Sequence, residues 1–227
     1  MDPTIANAAT VANLGLEHKT DIRAGVEAPL VILVHGRAGT YSLMWTFKRA
    51  LPEGINIIAV QAPLQDPIGG WSWWQVSGAT KEIRVGEIDD ASQKLKSFIE
   101  RCIKHYDLAP SNTLALGFSQ GAALLSRLIL ERPQSLQAVA LLAGFVLRPG
   151  DFNETPGLLD GKPIFIGHGT LDDVVPVEKA QEGRALLEKL GANVTWSTDE
   201  VGHKLGSATM RELKDWCHQR LSNRAIS

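Results

Sequence analysis

The chain has 227 residues, and its 23 Lys and Arg nearly balance 25 Asp and Glu, for a formal net charge of −2. This balance gives no reason to expect a basic surface for nucleic acid or for an anionic membrane. Hydrophobic residues at 44% and charged residues at 21% exclude a largely disordered chain. The two cysteines, Cys102 and Cys217, are too few for a disulfide framework and lack paired metal-ligand spacing.

The length is typical of a single domain, which we predict over residues 1–227 with an amino-terminal segment at 1–24. The apolar runs at 28–34 and 138–147 are far shorter than the roughly 20 residues that cross a bilayer. The chain begins MDPTIAN, which lacks the basic start and apolar stretch of a secretory signal. We therefore expect a cytoplasmic protein without stable membrane association.

Apolar β-rich runs alternate with longer helical patterns along the chain. An antiparallel edge strand is predicted around residues 16–23. Further strands, most of them continuously apolar as in strands covered on both faces, are predicted at 30–35, 55–61, 113–118, 138–145, 163–167 and 193–199. Helices are predicted at 42–51, 88–106, 120–132, 177–190 and 207–223. This alternation predicts an α/β fold with a parallel sheet and right-handed crossovers.

In an open parallel sheet, ligands bind beyond the carboxyl ends of the strands, so residues directly after a strand are candidate site residues. The first is Ser119, within GFSQG at 117–121, between a predicted strand and a predicted helix. This context is typical of a nucleophile elbow, a strained turn that lifts a serine hydroxyl above the sheet. Glycines two positions to either side are needed because side chains there would collide across the bend. The alternative is a glycine-softened turn with an incidental serine.

Two further signals follow later strands, in the chain order Ser, Asp, His. HGTLDDVVP at 168–176 contains Asp172 and Asp173, and a carboxylate here could hold a histidine in one tautomer and stabilise its imidazolium. An Asx turn or a helix cap is the alternative for these aspartates. VGH at 201–203 then supplies His203, whereas His35 and His168 precede glycines at strand ends and have a structural interpretation.

A fourth signal is HGRAGT at 35–40, directly after an apolar strand. In a fold with a nucleophile elbow, this loop supplies one backbone N–H to the oxyanion, and the residue after the nucleophile supplies the other. The predicted donors are therefore the backbone N–H groups of Arg37 and Gln120. A phosphate-binding loop is the competing interpretation, but the chain contains neither GxxxxGK nor GxGxxG.

Together these motifs resemble the α/β-hydrolase fold, and more narrowly the phospholipase/carboxylesterase family of small serine esterases, which includes the acyl-protein thioesterases. The matching pieces are HGRAG at 35–39, QAP at 61–63, GWSWW at 70–74, GFSQG, HGTLDDVVP and GH at 202–203. The family register makes Asp172 the acid and leaves Asp173 as its neighbour. The resemblance implies a mostly parallel sheet with helices on both faces and hydrolysis of esters or thioesters without a metal or organic cofactor. It also implies that the helices carrying Cys102 and Cys217 cover opposite faces, so we expect two free thiols.

Three of the six tryptophans, Trp71, Trp73 and Trp74, follow Pro-Ile-Gly-Gly and are predicted to lie in a loop. This loop either packs onto the body of the protein or forms an apolar wall beside Ser119. In similar proteins the loop and Phe145 lie around the acyl site, so all four residues are candidate substrate contacts. Only 17 residues separate Phe145 from Pro163, too few for an inserted helical cap, and we expect an open site covered by loops.

The sequence therefore predicts a serine carboxylesterase for short- to medium-chain esters. Ser119 is the predicted nucleophile, His203 is base and then acid, and Asp172 orients His203. An acyl-protein thioesterase or lysophospholipase is the enzyme alternative and differs in its leaving group. A ligand-binding protein of the same fold is the non-enzyme alternative. The expected partner is a small-molecule ester, and a homodimer is left open.

Overall fold

A computed structural model describes residues 14–22, 28–77, 82–83, 85–108 and 112–221. Its strands are β1 (His18–Asp21), β2 (Leu30–Val34), β3 (Asn56–Val60), β4 (Leu64–Gln65), β5 (Trp71–Ser72), β6 (Val76–Ser77), β7 (Glu82–Ile83), β8 (Thr113–Phe118), β9 (Ala138–Leu142), β10 (Pro163–Gly169) and β11 (Asn193–Asp199). Its α-helices are α1 (Tyr41–Met44), α2 (Val85–His105), α3 (Gln120–Glu131), α4 (Val177–Lys189) and α5 (Ser207–Leu221).

Seven strands form one central sheet in the order β1-β3-β2-β8-β9-β10-β11. The six strands from β3 to β11 in that order are parallel, and β1 pairs antiparallel with β3, with His18 opposite Val60. The predicted α/β fold and its antiparallel edge strand are therefore confirmed. Two short hairpins, β4-β5 and β6-β7, lie outside the sheet in a stretch for which neither a strand nor a helix is predicted.

The core has two layers, one on each face of the sheet, because successive strand residues point to opposite faces. In β2, Leu30, Ile32 and Val34 belong to a layer that contains buried residues of α2, α3 and α4. Val31 and Leu33 belong to the other layer, which contains buried residues of α5. All five side chains are fully buried, which explains why the strand is continuously apolar in sequence.

Most predicted boundaries lie within three residues of the observed ones, but two predicted elements extend too far for reasons that the structure explains. The helix predicted at 42–51 is one α-helical turn, α1, followed by a 3-10 helix over Trp45–Ala50, where consecutive aromatic and β-branched side chains disfavour a longer α-helix. The strand predicted at 138–145 ends at Leu142 because Ala143 has a φ of 46°, which turns the chain out of the extended conformation.

The connection from β9 to β10 carries no helical cap. Residues 143–162 are all described and contain only turns, bends and irregular backbone. The carboxyl edge of the sheet is therefore covered by loops in this region, as expected. Among the described residues, no helix is long and apolar enough to cross a membrane.

Candidate active site

The turn from β8 to α3 presents Ser119 at the carboxyl edge of the sheet. Its backbone has φ 52° and ψ −115°, a sparsely populated conformation that costs on the order of 1–3 kcal/mol. A Cβ at Gly117 would come within 2.5 Å of the Gly121 carbonyl carbon, and a Cβ at Gly121 within 2.2 Å of the Val34 oxygen. The predicted elbow therefore forms, and it needs glycine at both flanking positions because backbone meets backbone there.

Three predicted site residues meet at this edge in one hydrogen-bonded chain. Ser119 Oγ lies 3.1 Å from His203 Nε2, and His203 Nδ1 lies 2.7 Å from Asp172 Oδ2. An ionised carboxylate only accepts hydrogen bonds, so Nδ1 carries the imidazole proton and Nε2 accepts from the serine hydroxyl. The Asp172 side chain is fully buried, whereas 21% of the His203 side chain is exposed. The arrangement points one imidazole lone pair at one serine hydroxyl.

Asp172 is held by donors on both of its oxygens. Oδ1 accepts from the backbone N–H groups of Val174 at 2.9 Å and Val175 at 2.8 Å. Oδ2 lies 3.3 Å from Nε2 of His168, which also donates to the Val175 carbonyl at 2.8 Å. Burial alone would raise the pKa of Asp172, but the Val175 N–H and the His203 side chain outweigh it and leave the pKa below its usual value. The carboxylate is therefore charged and fixed at neutral pH.

The loop that carries His203 is anchored at both ends. Before it, a Cβ at Gly169 would come within 2.2 Å of the Val201 oxygen, so the end of β10 runs directly against this loop. At the other end of the loop, the start of α5 is held back against the end of β11, because the Asp199 carboxylate accepts from the backbone N–H groups of Ala208 at 3.3 Å and Thr209 at 2.8 Å. The distance between the acid and the histidine is thus set by backbone packing of β10 and β11.

The loop after β2 packs directly against the elbow. A Cβ at Gly36 would lie 2.9 Å from the Ser119 Cβ. Among the described residues, the backbone N–H groups of Arg37 and Gln120 donate to no protein acceptor, and these are the two predicted oxyanion donors. The His35 side chain fixes the start of the loop by donating from Nδ1 to the Gly36 carbonyl at 2.7 Å. His35 Nε2 accepts from the backbone N–H of Ala62 at 2.9 Å. Burial lowers the pKa of His35, which favours the neutral ring that this acceptor role requires.

The loop after β2 is also tied to the β4-β5 hairpin through Asp66, a residue that no sequence motif marks. Its Oδ2 accepts from Ser72 Oγ at 2.6 Å and from Arg37 Nε at 3.0 Å. Ser72 Oγ in turn accepts from the backbone N–H of Ala38 at 3.0 Å, and Ala38 has a φ of 54°. Burial would raise the pKa of Asp66, but the Ser72 and Arg37 hydrogen bonds lower it below its usual value.

The predicted substrate contacts divide into two groups. Trp73 and Trp74 are each only 1% exposed and belong to the core, which favours the alternative that this part of the loop packs onto the body of the protein. Their backbone instead holds the Gln120 side chain, whose Oε1 accepts from Trp73 N and whose Nε2 donates to the Trp74 carbonyl, both at 3.0 Å. Trp71 and Phe145 are partly buried against the same core and remain candidate contacts.

No group of three or more His, Cys, Asp or Glu side chains within the described ranges has the arrangement of a metal site. The residues that the structure brings together supply a hydroxyl, an imidazole and a buried carboxylate, beside two backbone N–H groups that donate to no protein acceptor among the described residues. This set of groups is able to transfer an acyl group through a serine ester.

Comparison with known proteins gives the same class. The family model described as Phospholipase/Carboxylesterase matches residues 21–220. Acyl-protein thioesterase 1 of Debaryomyces hansenii is 30% identical over 179 residues, which cover 72% of this chain and 74% of that protein. Carboxylesterase SOBER1 of Arabidopsis thaliana is 28% identical over 114 residues, 49% of this chain and 50% of that protein. The crystal structure of the Bacillus cereus carboxylesterase superposes with a TM-score of 0.82 at 22% identity, covering 92% of this chain and 96% of that one.

The fold, together with a site at the carboxyl edge of the central sheet, thus defines an α/β-hydrolase. The chain belongs to the phospholipase/carboxylesterase family, and it is a hydrolase with an esterase function.

Proposed function

We propose that the chain is a serine carboxylesterase for short- to medium-chain esters, with Ser119, His203 and Asp172 as its catalytic triad. The observation that carries this proposal is the continuous hydrogen-bonded chain from Ser119 Oγ through both ring nitrogens of His203 to Asp172. The hydrogen bond to the Asp172 carboxylate assigns the proton to His203 Nδ1 and leaves Nε2 as the acceptor that the first step needs. The turn at Ser119 presents its hydroxyl at the edge of the sheet.

In the first half-reaction, Ser119 Oγ attacks the ester carbonyl carbon while its proton passes to His203 Nε2. Asp172 stabilises the imidazolium that forms and keeps Nδ1–H directed toward itself. The tetrahedral oxyanion is held by the Arg37 and Gln120 backbone N–H groups, each worth about 2.7–4 kcal/mol in such sites. When the intermediate collapses, the bond to the alcohol oxygen breaks, and His203 donates its proton to the leaving alcohol.

In the second half-reaction, water takes the place of the alcohol. The water gives a proton to His203 Nε2 as its oxygen bonds to the acyl carbon. The second oxyanion that forms is held by the same two backbone N–H groups. Collapse breaks the bond between Ser119 Oγ and the acyl carbon, and the proton returns to Oγ. The products are a carboxylic acid and an alcohol, and the enzyme regains its starting state.

The preference for short and medium chains follows from the open site. Each buried CH₂ contributes about 0.8 kcal/mol, so affinity should rise over the first few carbons and flatten once the tail reaches solvent. A panel of p-nitrophenyl esters tests this, with acetate through hexanoate expected to be good substrates and palmitate a poor one. A preference of tenfold or more for long chains would contradict the proposed substrate class.

An acyl-protein thioesterase is the second candidate, because the Debaryomyces hansenii relative of that name is 30% identical over most of this chain. Leu171 and Val174, which flank Asp172, are 60% and 50% exposed and offer apolar surface beside the site. The same panel extended to palmitoyl thioesters discriminates the two candidates by kcat/KM. A ligand-binding protein would be labelled by a fluorophosphonate at most once and would turn over none of these substrates.

A further inference from the structure

A cleft of about 310 Å³ opens beside the proposed triad, on the side of His203 and the loop after β2. Its lining includes Arg37, Phe118 and Lys204. Phe118 directly precedes Ser119, and its ring packs against the His203 imidazole with 5.1 Å between ring centroids. Lys204 directly follows His203. Gly36, which also lines the cleft, packs against Ser119, since a Cβ at Gly36 would lie 2.9 Å from the Ser119 Cβ. The cleft is therefore next to the proposed nucleophile and base.

Most of the wall of the cleft is apolar. The apolar side chains come from α1, the 3-10 helix that follows it, the end of β8, the loop after His203 and α5: Leu43, Met44, Phe47, Phe118, Leu205 and Met210. The volume is at the lower end of the range for small-molecule pockets, about 300–1,000 Å³. It suits an aromatic ring or a short aliphatic segment.

The charged side chains that line the cleft are all positive. Arg37, Arg49 and Lys204 line it, and its lining contains no Asp or Glu. The Arg37 guanidinium is neutralised by buried Asp66 at 3.0 Å. Within the described part of the chain, Arg49 and Lys204 are exposed and form no ion pair. The chain as a whole has a formal charge of −2, so this local excess of positive charge does not follow from its composition.

We propose that this cationic cleft, defined by its apolar wall together with Arg49 and Lys204, selects esters that carry a carboxylate or phosphate a few atoms from the ester bond. The apolar portion of such a substrate occupies the wall, and its anion lies between the two unpaired cations at the rim. Because both cations are exposed, the attraction is modest and is screened by salt. This inference rests on the proposed function, since it names the substrate class of the same site.

Isosteric pairs of esters test the proposal, one member carrying a carboxylate and the other a carboxamide. The first pair, 4-carboxyphenyl and 4-carbamoylphenyl butyrate, places the anion on the alcohol side. The second pair, phenyl hydrogen glutarate and phenyl glutaramate, places it on the acyl side. The readout is the ratio of kcat/KM for the carboxylate to kcat/KM for the carboxamide, measured at low and at high salt. The pair that responds identifies which half of the ester enters the cleft.

The wild type is expected to favour the carboxylate about threefold or more in at least one pair, and less so at high salt. Lys204→Gln and Arg49→Gln should each lower the ratio about two- to fivefold. Lys94→Gln is the matched control, because Lys94 is an exposed lysine on α2, which packs on the opposite face of the sheet, and it should leave the ratio unchanged. A ratio of one or less in both pairs, or a ratio that the Arg49/Lys204 double variant does not change, would overturn the inference.

A folded protein that hydrolyses none of the four esters would contradict the proposed function and not the cleft itself. The cleft is then tested by calorimetric titration with 4-hydroxybenzoate and 4-hydroxybenzamide. Tighter binding of the carboxylate, reduced by Lys204→Gln, supports the anion site. Equal or undetectable binding of both compounds overturns it.

Discussion

At the scale of single residues, the two neighbouring aspartates of HGTLDDVVP have opposite environments. Asp172 is buried and accepts hydrogen bonds from His203 and from two backbone N–H groups, whereas Asp173 is exposed. The difference makes Asp173 a matched control for Asp172, one residue away and with the same side chain.

Asp172→Asn should therefore lower kcat by about 10⁴-fold, because the amide no longer selects the tautomer that leaves Nε2 free to accept the serine proton. Asp173→Asn should stay within about twofold of the wild type, since its side chain reaches no part of the proposed triad. Steady-state kinetics on p-nitrophenyl butyrate check both values. A crippling effect of Asp173→Asn with an active Asp172→Asn would show that the acid is assigned to the wrong residue.

Asp66 should make the stability of the protein depend on pH in the acid range. Its folded-state pKa lies below the usual value, so the unfolded chain binds its proton first as the pH falls. The stability from the charged carboxylate is therefore fully present above about pH 4 and is lost as the pH falls through the folded-state pKa. Asp66→Asn should cost about 1.5–3 kcal/mol of unfolding free energy at pH 7, and the difference should narrow toward pH 3.

Urea unfolding of both proteins across this pH range measures the difference, with Asp173→Asn as the exposed control. A difference that stays constant from pH 7 to pH 3 would mean that Asp66 stabilises the fold without its charge.

The sequence identifies some site residues and misses others for a physical reason. Ser119, His203 and Arg37 directly follow or lie just beyond strands, and local motifs mark such positions. Asp66 and Ser72 act through contacts to Arg37 and Ala38, which are about thirty residues away in the chain and close only after the hairpin packs. No local sequence motif at Asp66 or Ser72 predicts these two contacts.

At the scale of elements, the β4-β5 hairpin supports the loop that carries Arg37, the proposed oxyanion donor. Ser72 accepts from Ala38 N–H and donates to Asp66, so it fixes the residue directly after Arg37. The paired backbone of Gly39 and Trp71, with N–H to O distances of 3.1 and 2.9 Å, continues the same support. The backbone of the buried tryptophan pair that follows the hairpin holds the Gln120 side chain at the start of α3.

Ser72→Ala should lower kcat about tenfold with little change in KM, less than the 10²–10³-fold loss expected from deleting an oxyanion donor. Ser126→Ala is the matched control, because Ser126 is also buried, donates to the Ala123 carbonyl and accepts from Leu147 N–H. Both variants should lose similar thermal stability, but Ser126→Ala should keep kcat near that of the wild type. Equal effects of the two variants on kcat would reduce the role of Ser72 to ordinary packing.

At the scale of the whole molecule, the parallel orientation of the strands was predictable because continuously apolar strands alternate with amphipathic helices. The ends of elements were less predictable, since Ala143 turns the chain by adopting a positive φ that its residue type does not announce. The helix predicted after β2 is too long because the apolar residues of the 3-10 helix that follows α1 have a spacing similar to that of an α-helix.

The two faces of the sheet also separate the two thiols. Cys102 lies in the layer that contains α2 and α3, and Cys217 lies in the layer that contains α5. Burial raises the pKa of each thiol to about 12. The folded protein should therefore react slowly with a disulfide reagent at pH 8, and the denatured protein should titrate with two thiols. Fewer than two thiols in unoxidised, denatured material would contradict the two-layer topology.

The central claim is that Ser119 is the nucleophile of an enzyme that turns over esters. The most direct measurement combines active-site labelling by a fluorophosphonate with multiple turnover of p-nitrophenyl butyrate, in the wild type and in Ser119→Ala. We predict one label per chain on Ser119 and many turnovers in the wild type, and neither labelling nor turnover in a folded Ser119→Ala protein. Labelling of another residue, or turnover that survives Ser119→Ala, would contradict the account.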